Sequence, residues 1–329
     1  MENAGRKDNI FKKGIRALGR YTFIVMRWII CRLPYPAYKS LMKVLMFAGK
    51  PLLKKKEGLA FYNLKRVFGH EKTDEEIHAI VRSCFNNFGR GMIETIYFID
   101  RSHEVEQKVR FVGKEHLDVA LKKGNGVILV GAHFGNFLLM YFRLVAAGYP
   151  TNVIMKRTRD STFEEYITEF ISKLGIKTIY DLPARQCIVQ SIRALRNNEV
   201  LFILLDQNYG GDGRIFVDFF GIQAATAAGP VVFSHRTGAS ILPVFMMREE
   251  EEKYKLVFEP PFAIEEEASE EATIQKNIES LTKIIERYVR TYPHEWGGWM
   301  HKRWKSRTSE EQAVIDALNK TNVKKVNNY

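Results

Sequence analysis

His133 sits in the stretch Val127-Ile-Leu-Val-Gly-Ala-His-Phe-Gly-Asn136. Histidine is the side chain whose ordinary titration lies near neutral pH, so it can take and return a proton under physiological conditions. The apolar run before it reads as a buried strand that stops at Gly131-Ala132, and Phe137 to Ala147 reads as an apolar helix. Asn136 is placed to cap that helix, and Gly131 and Gly135 let the chain turn on either side of the histidine. A strand end facing a helix N-terminus is where open α/β sheets work, and its backbone N–H groups can hold an anion. Asp206 closes a second apolar run, Glu199 to Leu205, which is expected to lie near His133.

Such a pair needs a rigid frame. From residue 111 onward, strand patterns alternate with helical ones. The strands are expected at 126–130, 152–155, 178–180, 199–205, 240–245 and 254–259. Helices are expected between them at 137–147, 163–174, 185–196, 227–236 and 272–290. This alternation predicts an α/β fold: a mostly parallel central sheet covered by helices on both faces. Residues 59–110 read as helical, with Thr73-Asp-Glu-Glu76 forming a capping box before the helix 77–97. Three segments follow: a basic arm over 1–58 with a hinge at Leu52 to Gly58, an α/β domain over 59–308, and a polar tail over 309–329 holding one short helix.

The net charge of +12 suggests a nucleic-acid binder until its distribution is read. Residues 1–60 carry a net +11 and the remaining 269 carry +1, so the body is neutral and lacks any nucleic-acid motif. In the arm, Tyr21 to Cys31 is apolar but short and is interrupted by Arg27. That is too little for a spanning helix, which needs about 20 apolar residues. On a helix, Arg16, Arg20 and Arg27 fall near one face, while Phe23, Ile24, Trp28 and Ile30 supply apolar area. A helix of this kind lies in the interface of an anionic membrane. A solvated helix and a nucleic-acid arm are the other readings, and the tryptophan and tyrosine among the charges favour the membrane. Cys31, Cys84 and Cys187 show no paired spacing, which fits packing residues in a reducing compartment.

Three blocks carry a resemblance. They are Gly131-Ala-His-Phe-Gly-Asn136; Asp206-Gln-Asn-Tyr-Gly-Gly-Asp-Gly-Arg-Ile-Phe-Val-Asp-Phe-Phe-Gly221 with Ala224-Ala-Thr226; and Trp296-Gly-Gly-Trp-Met-His-Lys-Arg-Trp304. In order and spacing they resemble the late acyltransferases of lipid A biosynthesis, within the lysophospholipid acyltransferase superfamily, over residues 15 to 308. The resemblance implies a membrane enzyme on the cytoplasmic side of a cell inner membrane. It would move a fatty acyl chain from acyl carrier protein, or coenzyme A, to a hydroxyl of a lipid. His133 matches the family's base. The family also places Asp or Glu five residues after the histidine, and this chain has Leu138 there. Asp206 is the residue expected to substitute, as the second catalytic group.

For substrate binding the resemblance points to Lys156 or Arg157 after the second strand and to Arg214 in the glycine-rich loop. Thr226 is expected to cap the following helix, where N–H groups could hold a phosphate, and Asn136 is expected beside His133. The tryptophans of the third block suit either the headgroup zone of a bilayer or packing against the body. No phosphate-binding loop, nucleophile elbow or metal cluster stands out, so neither a metal nor a cofactor is expected. The acceptor could equally be a lysophospholipid, a glycolipid or an aminolipid. Leu138 also motivates a silent relative that binds lipid without catalysis.

Overall fold

The computed structural model describes residues 10–98, 101–158, 160–211, 213–250 and 253–308. Three long helices come first: α1 (Ile10–Arg32), α2 (Tyr35–Phe68) and α3 (Asp74–Phe98), then the short α4 (Ser102–Lys108). The alternating part runs β1 (Val109–Val112), α5 (Lys114–Leu121), β2 (Val127–Gly131), α6 (Phe137–Ala146), β3 (Thr151–Met155), α7 (Ser161–Lys173), β4 (Ile176–Tyr180), α8 (Ala184–Arg196) and β5 (Val200–Leu204). A hairpin of β6 (Arg214–Phe219) and β7 (Ile222–Ala227) follows, then α9 (Gly229–Thr237), β8 (Ser240–Glu250), β9 (Lys253–Phe258) and α10 (Glu270–Thr291). Two 3-10 turns, Pro293–Glu295 and Gly297–Met300, are the last elements before residues 301–308.

Seven strands form one sheet in the order β1-β9-β8-β2-β5-β3-β4, with every pairing parallel except β8 with β9. The α/β expectation holds, with an antiparallel hairpin near one edge. β2 lies at the centre and alternates as a doubly covered strand must. Ile128 and Val130 pack into one apolar layer, Val127 and Leu129 into the other. α2 joins both layers: Tyr38 and Met42 belong to the second, Ala60, Leu64 and Phe68 to the first. Residues 52–58, expected as a hinge, lie inside this unbroken helix.

Helix starts follow the sequence signals. Thr73 and Glu76 cap each other's backbone N–H at α3, Asp160 accepts from Phe163 N at α7, and Ser269 accepts from Ala272 N at α10. The strands β1, β6 and β7 were not anticipated, and the helix expected from 227 starts at Gly229 because 222–227 pair with β6. The tail helix expected after Arg307 lies outside the described residues.

α1 departs from its expected orientation. Arg20 pairs with Asp160 at 3.1 Å, and Arg27 donates to the Tyr166 hydroxyl at 2.9 Å while lying over the Phe170 ring. Phe23 meets Phe163 edge to face, with ring centroids 5.3 Å apart. Those arginines therefore face α7, and the exposed face carries Leu18, Tyr21, Val25, Trp28 and Ile29. Among the described residues, no helix is long and apolar enough to cross a membrane.

Candidate active site

The register of two strands creates the site. β2 and β5 run parallel with Gly131 opposite Leu204, and Leu205 N donates to Gly131 O. Two residues further along each strand, His133 and Asp206 emerge side by side from the same edge of the sheet. His133 Nδ1 lies 2.8 Å from Asp206 Oδ1, and the His133 backbone N–H donates to Oδ2 at 3.0 Å. Trp296 Nε1 donates to the same Oδ2 at 2.7 Å.

Asp206 is fully buried and His133 is about one-fifth exposed, 19% at its side chain. Burial alone would push the Asp206 carboxyl up. A charged His133 beside it, with the hydrogen bonds from His133 and Trp296, outweighs that and holds it at about 2. An ionised carboxylate can only accept, so Nδ1 carries a hydrogen, and in the neutral ring Nε2 presents its lone pair. That tautomer suits a base facing a substrate hydroxyl.

The segment from Glu295 to Gly297 locks this turn. Phe134 bridges Trp296, Gly297 N donates to His133 O, and Gly135 N donates to Glu295 O. Gly135 has φ +57°, and a Cβ there would overlap the Met246 carbonyl, so only glycine fits. Phe137 stands edge-on to His133 at 4.8 Å, and His301 lies 5.9 Å away between ring centroids. Burial, then the nearby His133 and Lys56 charges, hold the His301 imidazole below its ordinary range.

Arg303 is buried beneath the pair. It donates to Gln207 O at 3.0 Å, to Ala225 O at 2.6 Å and to Thr226 Oγ1 at 2.6 Å. Burial lowers its guanidinium to about 10, against the pull of Asp206, so it stays charged at neutral pH. On the other side, Glu94 is fully buried between Arg90, Arg248 and the Tyr254 hydroxyl, tying α3 to β8 and β9. Glu295, near Arg248, is pushed up to about 7, chiefly by burial.

The sequence profile of the bacterial lipid A biosynthesis acyltransferases matches residues 9–306. The chain belongs to that family. It is 25% identical to the lipid A biosynthesis lauroyltransferase of Escherichia coli (strain K12) over 85% of this chain and 89% of that one. The palmitoleoyltransferase of lipid A biosynthesis from the same strain matches at 25% over 87% and 91%. A phosphatidylinositol mannoside acyltransferase of Mycobacterium tuberculosis (strain CDC 1551 / Oshkosh) matches at 27% over 40% of this chain and 42% of its own. This member of the family is therefore an acyltransferase.

Of the residues singled out in the sequence, the structure bonds His133 directly to Asp206, a carboxylate from the end of β5, while position 138 in α6 carries leucine. Two expectations are corrected. Asn136 makes no cap; it is buried, its amide donates to Gly91 O at 3.0 Å, and the Thr95 hydroxyl donates to its Oδ1 at 2.8 Å. Thr226 starts no helix; it lies buried in β7, where its hydroxyl donates to Ala224 O and accepts from Arg303. Neither side chain is open to a ligand.

Lys156 and Arg157 are exposed where β3 ends, one strand beyond β5 on the same edge. Arg157 pairs with Glu164 at 2.8 Å and covers the Tyr180 ring. Arg214 is exposed at the start of β6, within 3.5 Å of the Gly210 and Gly211 carbonyls. Trp296 and Trp299 are fully buried, so of the two readings of the third block packing holds for them. Glu94, Glu295 and Gln207 were missed, since the contacts that define them cross up to 160 positions of sequence. Among the described residues, no three His, Cys, Asp or Glu side chains are grouped to hold a metal.

Proposed function

We propose that the chain moves a fatty acyl group from a thioester donor, acyl carrier protein or coenzyme A, to a hydroxyl of a lipid A precursor. The observation that carries this reading is the His133–Asp206 pair, with Nδ1 held and Nε2 on a partly open face. His133 takes the proton of the acceptor hydroxyl as its oxygen attacks the thioester carbon, a contribution of about 10²–10⁴-fold. Asp206 keeps the ring in its productive tautomer and stabilises the imidazolium. When the tetrahedral adduct collapses, the carbon–sulfur bond breaks and the proton on Nε2 goes to the departing thiolate.

Family membership and the lauroyl and palmitoleoyl relatives favour a lipid A precursor as acceptor. The match to a phosphatidylinositol mannoside acyltransferase over 40% of the chain supports, as a second reading, another membrane lipid. Lys156, Arg157 and Arg214 are exposed cations suited to the phosphates or sugar oxygens of such acceptors. The apolar face of α1 and the net +11 of residues 1–60 fit peripheral attachment to the anionic cytoplasmic face of an inner membrane. That basic surface would also attract an acidic carrier protein.

The test is transfer of radiolabelled acyl groups from acyl carrier protein and from coenzyme A to a lipid A precursor and to a lysophospholipid. His133→Ala is run beside the wild type. Product that disappears in the variant is expected, and the preferred acceptor selects between the two readings. Equal product from the variant would remove His133 from the chemistry.

A further inference from the structure

A base alone leaves the negative charge of the tetrahedral adduct without a partner. The turn after His133 offers less than its backbone suggests, because Phe134 N already donates to Ala132 O and Gly135 N to Glu295 O. Those two N–H groups are committed, and a side-chain amide stands beside the ring instead.

Gln207 follows Asp206, and its carboxamide nitrogen lies 3.0 Å from His133 Nε2 and 3.4 Å from Nδ1. Similar distances to both ring nitrogens place the amide over the imidazole face, not in line with the Nε2 lone pair. The lone pair thus stays available to a hydroxyl while an N–H donor stands next to it. The NH₂ end of the amide, not its carbonyl, is the end set toward the ring. Gln207 is half-buried, and its backbone carbonyl is held by the buried Arg303, which limits how far the side chain can wander.

We propose that Gln207 is a catalytic residue whose carboxamide N–H donates to the oxyanion of the tetrahedral adduct. The proposal rests on the reading of His133 as base. In the attacking step the hydroxyl proton passes to His133 Nε2, the new carbon–oxygen bond forms, and the carbonyl electron pair moves onto the oxygen. Gln207 meets that oxygen. On collapse the pair re-forms the carbonyl, the thiolate leaves, and the amide returns to the ring face. A side-chain amide held next to the reacting atoms gives stabilisation that exists mainly in the transition state.

The experiment compares steady-state kinetics of wild type, Gln207→Glu, Gln207→Ala and His133→Ala. The donor is radiolabelled lauroyl–acyl carrier protein, the acceptor is the lipid that the wild type uses best, and folding is checked by circular dichroism melting. Gln207→Glu keeps the shape but replaces the donor with an acceptor that repels the oxyanion, so it remains informative if the alanine variant folds poorly. Both Gln207 variants should lose about 10²–10³-fold in kcat, with KM for donor and acceptor within about threefold of wild type. A folded Gln207→Glu with kcat within about threefold of wild type overturns the proposal. So does a loss confined to the KM of the acceptor, which would make Gln207 a binding residue. An inactive His133→Ala beside an active Gln207→Glu removes only this inference. An active His133→Ala, or a wild type inert with every donor and acceptor, removes the proposed function and this inference together.

Discussion

Asp206→Asn tests the arrangement most directly, because the amide is nearly isosteric and only its hydrogen-bonding pattern changes. The carboxylate accepts three bonds: Nδ1–H of His133 on one oxygen, and the His133 backbone N–H and Trp296 indole N–H on the other. An asparagine has one accepting oxygen. Placed toward the two fixed N–H groups, that oxygen leaves the NH₂ facing Nδ1. The ring must then move its hydrogen to Nε2, where it can no longer accept a proton from a hydroxyl. The opposite amide orientation sets the NH₂ against two donors and is worse. Turnover should therefore fall by about 10²–10⁴-fold, toward the upper end when the wrong tautomer is locked.

Stability should fall too. A carboxyl held at about 2 in the folded chain, against an ordinary 3.8, contributes about 2 kcal/mol. The lowered value means this contribution is present above pH 3.8 and is lost as the pH falls toward 2. Acyl transfer from acyl carrier protein and urea denaturation at neutral pH give the two numbers. A folded Asp206→Asn with turnover within about tenfold of wild type would refute the tautomer argument. Recovery of that variant by Leu138→Glu would support it, by showing that a carboxylate on α6 can hold the imidazole instead.

Further outcomes follow from the surrounding residues. Arg303→Met removes the donor to Gln207 O, Ala225 O and Thr226 Oγ1, and should cost about 3 kcal/mol or more in urea unfolding. Arg303→Lys, lacking the planar fork, should recover only part of it. Glu295 has a raised folded value of about 7, so its contribution is intact below 4.5 and is lost as pH rises through about 7. Glu295→Gln keeps an acceptor for the Asn87 amide and should be more stable than wild type at pH 8, by up to about 3 kcal/mol. Melting curves from pH 5 to 8 that stay parallel for the two proteins would contradict this. Replacing Val25 and Trp28 together by Glu should reduce sedimentation with anionic vesicles by roughly tenfold or more, without changing the melting temperature. Unchanged sedimentation would move the membrane contact away from α1.

Much of the frame was legible because it depends on local pattern. The unbroken apolar run of β2 announces a strand covered on both faces, and helical spacing separates it from its neighbours. Thr73 and Glu76 mark the start of α3 by a contact that spans three residues. β6 and β7 were not legible, since a glycine-rich stretch with three phenylalanines nearby reads equally as a loop. Asn136 shows the same limit in reverse. Its position before α6 has the signature of a cap, yet Gly91 and Thr95 of α3 compete for the amide and win.

At the site, the sequence by itself determined that His133 follows a buried strand beside a helix start, and that three blocks in order resemble acyltransferases of lipid A. It also determined that the usual acid is absent at Leu138. Only the tertiary structure decided which carboxylate meets the imidazole. The parallel register of β2 with β5 sets Gly131 opposite Leu204, and that register brings Asp206 to Nδ1 from 73 residues away. The placement of Trp296, Arg303 and Gln207 around the pair follows from the same packing. A strand's pattern fixes which faces are buried, but its neighbour and its register depend on the whole core, and those two choices assemble the chemistry.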